Sequence, residues 1–214
     1  MPIKAVLLDV DGTLVDSNDL HVEAWREAFR RFGKELTREE VHAQMGKGGD
    51  LLVKEFLSAE EVERFGKEVD ALHVDLFIEK YQPRERCLPG VREVLERMKA
   101  DGLRIVLATS AKDKEIKGHL QVLGIDDLID GRTTADAAEH SKPCPDIFNA
   151  ALEAAGNARP EEAVVIGDSP WDAEAARKAG IPMLGVLTGG FTERELREHG
   201  ARKVFRDLRE LRWT

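Results

Sequence analysis

Short, unbroken apolar runs alternate with segments of helical periodicity along most of this chain, and that alternation limits the folds open to it. Ala5-Val6-Leu7-Leu8 and Ala163-Val164-Val165-Ile166 are apolar at every position. Such runs suit strands covered on both faces. Leu103 to Ala108 and Met183 to Leu187 read as further strands, Leu128 to Thr134 as a weak one and Lys203-Val204-Phe205 as an edge strand. Helical faces lie between them. Val91, Val94, Leu95 and Met98 share one face, closed by Gly102. Ile116, Leu120 and Leu123 share a second, closed by Gly124. Ile147, Phe148, Ala151 and Leu152 share a third, opened by Pro145 and closed by Gly156. Residues 173–179 form a small-residue helix that stops at Gly180. Strands alternating with helices predict βαβ units and a Rossmann-like, doubly wound parallel sheet of the α/β class.

One block breaks the pattern. From Asp16 to about Cys87 the apolar residues keep helical steps, as in Trp25, Phe29 and Phe32 and again in Val62, Phe65, Val69 and Leu72, with no β-run among them. The reading is two parts: an α/β core from residues 1–15 and 88–214, and a helical cap, residues 16–87, inserted after the first strand. Hinges are expected near Asp16 to Asp19 and near Pro83 to Leu88.

Composition narrows the function. Among 214 residues, 41 acidic against 32 basic side chains give a net charge of −9. That balance argues against a nucleic-acid partner. No apolar run approaches the roughly 18 residues of a membrane-spanning helix. The start lacks the pattern of a signal peptide. Cys87 and Cys144 are too few for a disulfide scaffold or a zinc site. A cytoplasmic protein with reduced thiols is expected.

In an open parallel sheet, ligands bind beyond the carboxyl ends of the strands. The first run is followed by Asp9 and Asp11, the second by Thr109 and Ser110, the fourth by Gly167, Asp168, Ser169 and then Asp172, while Lys142 precedes the third helix. Carboxylates gathered at that density repel, so a cation must sit among them. An all-oxygen donor set points to Mg2+ before Ca2+. A carboxylate, an ammonium and Mg2+ in one cleft are the parts for phosphoryl transfer. One aspartate can then act as nucleophile, and a second carboxyl two residues on as acid and base.

Asp9-Val10-Asp11-Gly12-Thr13 at a strand end, Thr109 after an apolar run, Lys142 before Pro143, and Gly167-Asp168-Ser169-Pro170-Trp171-Asp172 resemble the four ordered motifs of the haloacid dehalogenase superfamily. The helical insert resembles that superfamily's small cap. The resemblance implies roles. Asp9 would be nucleophile and Mg2+ ligand. Asp11 would be acid/base and bind the metal through its backbone carbonyl. Thr109 would bond the phosphoryl oxygen, and Lys142 would neutralise Asp9 and the phosphoryl group. Asp168 would ligate Mg2+, and Asp172 would ligate it or orient its waters.

Asp11 and Asp168 together disfavour a dehalogenase, since halide needs neither acid nor metal to leave. His21 and Lys112 resemble positions of the β-phosphoglucomutase branch. Gly167 stands where the mutase has a glutamate, and Gly49 falls nearest its phosphate-binding arginine, so a phosphatase of the phosphoglycolate or sugar-phosphate kind is expected over a mutase. A catalytically silent regulatory protein on the same scaffold is the alternative of another class. The expected partner is a small phosphorylated metabolite. His21 and Lys47 are candidate substrate contacts, with an ordinary cap residue and a solvated loop lysine as the plainer alternatives. Trp171 is expected to pack under the site and Cys144 to be structural. The other histidines (42, 73, 119, 140 and 199) show no ligand spacing.

Overall fold

The structure, a computed structural model, describes residues 2–137 and 139–212. Six parallel strands form one sheet: β1 (Ala5–Leu8), β2 (Arg104–Ala108), β3 (Gly131–Thr133), β4 (Ala163–Gly167), β5 (Met183–Val186) and β6 (Lys203–Phe205). Their spatial order is β3-β2-β1-β4-β5-β6. The chain therefore winds outward from β1 on one side, returns to the middle, and winds outward again from β4. The reversal between β1 and β4 opens the crevice in which this topology places its ligands.

Alternation along the strands divides the core into two layers. Val6, Leu8, Ile105, Leu107, Val164 and Ile166 face α6 (Val91–Ala100) and α7 (Asp113–Leu123). Ala5, Leu7, Val106, Ala108 and Val165 face α8 (Asp146–Ala154) and α9 (Pro170–Lys178). Burial on both faces is why the strand sequences are continuously apolar. The expected strand over 128–134 shortens to Gly131–Thr133. A further helix, α10 (Glu193–His199), was not expected. Thr192 and Glu195 cap it reciprocally, but Leu196 is its one fully buried side chain, so it carries almost no periodic signal.

Between β1 and β2 runs a helical segment: α1 (Asn18–Arg31), α2 (Arg38–His42), α3 (Gly49–Phe56), α4 (Ala59–Glu61) and α5 (Lys67–Leu76). π-helical turns at Val62–Gly66 and Phe77–Tyr81 flank α5. Val22, Trp25 and Phe29 of α1 pack with Val69 and Leu76 of α5 in the same apolar cluster as the β1 layer. The outgoing and returning strands of chain are zipped together. Val15 bridges Cys87, Asp16 N–H donates to Arg86 O at 2.9 Å, and Leu88 N–H donates to Leu14 O at 2.9 Å.

Candidate active site

Leu8 is in register with Leu107 of β2 and Ile166 of β4, so the residues after these three strands emerge side by side. Asp9 N–H donates to Ile166 O at 2.9 Å and holds the first of them in place. The chain then turns sharply through Gly12, whose φ of +74° suits glycine. A Cβ there would lie 2.3 Å from Asp168 Oδ2, so the turn passes over Asp168 only because no side chain intervenes.

Around Asp9 the chemistry is acidic and dry. Lys142 is fully buried, on the segment that leads into α8. Its Nζ stands 2.5 Å from Asp9 Oδ1 and 2.7 Å from Asp172 Oδ1, and donates to Ala108 O at 3.0 Å. Those contacts use all three ammonium protons. Thr13 Oγ1 spans Asp168 Oδ1 at 3.0 Å and Asp9 Oδ2 at 3.3 Å. Asn18 Nδ2, from the helical segment, donates to Asp168 Oδ2 at 2.9 Å and to Gly189 O at 3.2 Å. Asp172 Oδ2 accepts from Ser169 N–H and Oγ in the box that caps α9. With its other oxygen on Lys142, Asp172 has both oxygens engaged by protein.

Three buried carboxylates thus face one ammonium. Burial and the Asp172 charge push the Asp9 carboxyl up to about 7 despite Lys142. Burial, with Asp9 and Asp172 beside it, drives Asp168 well above the usual carboxylate range. Lys142 is raised, because the two aspartates outweigh the desolvation of its charge. Oxygens of Asp9, Asp168 and Asp172 lie within 4.8 Å of one another and could hold a metal ion. Oxygen-only donors and surplus negative charge fit a hard divalent cation.

Asp11, two residues on, has the opposite surroundings. Its Oδ1 accepts from Ser17 Oγ at 2.6 Å, stands 3.1 Å from His21 Nε2, and faces His119 Nε2 at 3.6 Å. Burial alone would raise this carboxyl. His119 and His21 outweigh it and hold Asp11 well below the usual range. Behind His21 Nδ1 stands His73 Nε2 at 3.2 Å. Burial, with His21 next, keeps His73 far below the ordinary imidazole pKa. Flat stacking fixes both rings, His21 on Phe77 at 3.6 Å and His73 on Trp25 at 3.8 Å between centroids.

The histidines that show no spacing in sequence therefore include two that converge on Asp11, directly or through His21. His119 is the functional candidate that sequence reasoning missed. It lies on α7 with Glu115, Ile116, Leu120 and Leu123 along the buried stripe. A histidine and a glutamate four residues apart on an apolar face were the available signal.

The remaining predicted residues divide. Ser110 lines the cleft and donates to Gly46 O at 3.3 Å. Thr109 is wholly buried behind it, its Oγ1 accepting from Ala111 N–H at 3.0 Å. Lys47 is not a solvated loop lysine. Its side chain is 9% exposed, pairs with Glu55 at 2.7 Å and lies over the Trp171 ring at 4.1 Å, within the cleft lining. Lys112 pairs with Asp70 at 2.5 Å in the same wall. Cys144 is a free, half-buried thiol. The cleft between the helical segment and the strand ends encloses about 70 Å³ and is reached by Asp9, Asp11, His21 and Trp25.

A doubly wound sheet carries a buried aspartate–lysine pair at its central strand end, with a second aspartate opening to the cleft beneath the helical segment. The chain belongs to the haloacid dehalogenase-like hydrolase family, whose model matches residues 3–180. A phosphorylated carbohydrates phosphatase of Thermotoga maritima is 33% identical over 93% of this chain and 92% of its own. The validoxylamine A 7'-phosphate phosphatase of Streptomyces hygroscopicus is 30% identical over 98% and 96%. The crystal structure of a hydrolase from Pseudomonas syringae superposes with a TM-score of 0.91 at 32% identity, covering 98% of this chain and 96% of that one. Among the described residues, no helix is long and apolar enough to cross a membrane.

Proposed function

We propose that this enzyme is a Mg2+-dependent phosphatase that hydrolyses a small phosphate monoester, with Asp9 as nucleophile and Asp11 as acid and base. The observation that carries the reading is the contrast at one turn: Asp9 locked on Lys142 in a dry acidic pocket, Asp11 held by hydroxyl and imidazole groups at the cleft. Asp9 and Asp168 would hold Mg2+, together with the Asp11 carbonyl. Bound there, the cation would supply charge neutralisation for the phosphoryl oxygens and would let the carboxylates stay ionised.

Lys142 fixes the Asp9 carboxylate through Oδ1 and leaves the other oxygen, held only by the long Thr13 contact, to attack phosphorus. The P–O bond to the leaving alkoxide breaks as the Asp9 acyl-phosphate forms. Asp11, in its protonated form, protonates the departing oxygen. Asp11 then takes a proton from the water that hydrolyses the acyl-phosphate, returning Asp9 and releasing phosphate. Asp172 acts through Lys142, and Ser110 is placed to meet the phosphoryl group at the cleft.

The cap side of the cleft favours a leaving group that is neutral and rich in hydroxyls. Both lysines of the cleft, Lys47 from the helical segment and Lys112 at the start of α7, are already matched by Glu55 and Asp70 of the helical segment. A substrate bringing its own carboxylate, as phosphoglycolate does, would have to break one of these pairs. Hydroxyl groups would instead add bonds to them. The same pairing, with glycine at position 49, supplies no second phosphate site of the kind a mutase needs. A phosphate-release panel tests the reading, with and without Mg2+. Sugar and polyol phosphates should be turned over at least about tenfold better than phosphoglycolate in kcat/KM, a margin of about 1.4 kcal/mol. Chelation should abolish all turnover. Metal-independent release, or a preference for phosphoglycolate, would overturn it.

A further inference from the structure

Glu85 sits on the returning linker, and its carboxylate is completely buried. Apart from His119, no donor reaches it among the described residues. What faces it is His119 Nδ1 of α7, 2.9 Å from Oε1, and the His119 side chain is equally buried. A buried carboxylate without compensation is strongly unfavourable, so this imidazole is the group that makes Glu85 tolerable. The other ring nitrogen of His119 points to Asp11 Oδ1. Ser17, on the outgoing linker, donates to that same oxygen at 2.6 Å.

The two linkers that join the helical segment to the sheet therefore both reach Asp11, one directly and one through His119. They are also bound to each other by the Val15–Cys87 bridge and the Asp16–Arg86 hydrogen bond. Any swing of the helical segment must work on this pair of linkers. From this geometry we infer that His119, held by Glu85, is a positioning residue for Asp11, and that it ties the orientation of the acid/base carboxylate to the state of the hinge. His119 Nε2 is 3.6 Å from Asp11, longer than a hydrogen bond. Catalytic contacts of this kind commonly tighten when substrate is bound. The His119 ring is kept from the cleft, so it orients the acid without touching substrate. Glu115, His21 and Phe77 surround it.

This inference rests on Asp11 acting as the acid in the proposed phosphatase. The test uses two aryl esters of similar size, p-nitrophenyl phosphate and phenyl phosphate, the second of which departs poorly without a proton. In the full-length protein with Mg2+, His119→Ala should lower kcat/KM on phenyl phosphate about 30-fold, part of the roughly 10²–10⁴ that a well-placed acid contributes. On p-nitrophenyl phosphate the loss should stay within about threefold, because kcat/KM there reports a step that needs no acid. Glu85→Ala should show the same selectivity. Glu85→Gln, which keeps an acceptor facing Nδ1, should restore phenyl phosphate turnover to within about threefold of the unmodified protein. Equal losses on both esters mark a merely structural role and overturn the inference, as does an unchanged rate on phenyl phosphate. Should His119→Ala fail to fold, the Glu85 pair decides alone. If the unmodified protein hydrolyses neither ester, it is the phosphatase reading that has failed, and the two failures are thereby told apart.

Discussion

Asp9 and Asp11 are separated by one residue and share one turn, yet their surroundings differ in almost every respect. Asp9 meets two other carboxylates and a single lysine, and its carboxyl rises to about 7. Asp11 meets a serine and two imidazoles, and its carboxyl is held low by His119 and His21 against the effect of burial. Identical side chains are thus given opposite pKa shifts by neighbours drawn from different parts of the chain. The Asp9 side, with surplus carboxylate charge, could hold a cation, and there the proposed reaction places the nucleophile. On the Asp11 side the proposed reaction places the proton transfers.

The largest effect should come from removing the proposed nucleophile. Asp9→Asn keeps the size of the side chain and the Ile166 backbone bond, so circular dichroism should be unchanged. Turnover should fall by at least about a thousandfold. An active variant would show that the two aspartates are not divided as described.

A smaller effect sharpens the boundary between the two sides. Asn18 comes from the helical segment but serves Asp168, not Asp11. Asn18→Ala should weaken Mg2+ binding about tenfold by calorimetry, as loss of an outer partner of a metal ligand commonly does. His21→Ala, on the other side, should leave Mg2+ affinity within about twofold. If both variants weakened the metal equally, the two sides would be one site. Metal itself should stabilise the fold: at a hundred times its dissociation constant the gain is about 2.7 kcal/mol, read as a rise in Tm.

The same contrast explains what could be read in advance. Each charged group on the Asp9 side follows a strand or leads into a helix of the sheet, and a strand buried on both faces is unmistakable as Ala163-Val164-Val165-Ile166. Their convergence follows from topology alone. The Asp11 side gathers His21 from α1, His73 from α5, His119 from α7 and Glu85 from a linker. No spacing links these positions. They meet because the helical segment folds back over the strand ends, where Phe77 stacks on His21 and Trp25 on His73. Lys47 is the same case. A lysine between glycines reads as solvated, and only the fold brings Glu55 and Trp171 to it.

The smallest effect is expected far from both aspartates, where it separates ordinary surface electrostatics from those of the site. Glu162 opens toward β4 and pairs with Arg159 and Lys4. Bonds from Arg159, then Lys4, lower its carboxyl to about 2. A carboxyl whose pKa is depressed in the folded state stabilises that state above its ordinary pKa. The contribution is lost as pH falls from about 4.5 toward about 2. Glu162→Gln should therefore lower Tm by a small amount at pH 7, and the gap from the unmodified protein should narrow as the buffer is taken to pH 3. Metal affinity and turnover at pH 7 should not move, since neither partner reaches the cleft. A gap that stayed constant or widened in acid would mean that the pair contributes through packing and not through charge, leaving the neighbours of Asp9 and Asp11 as the places where carboxylate charge is put to use.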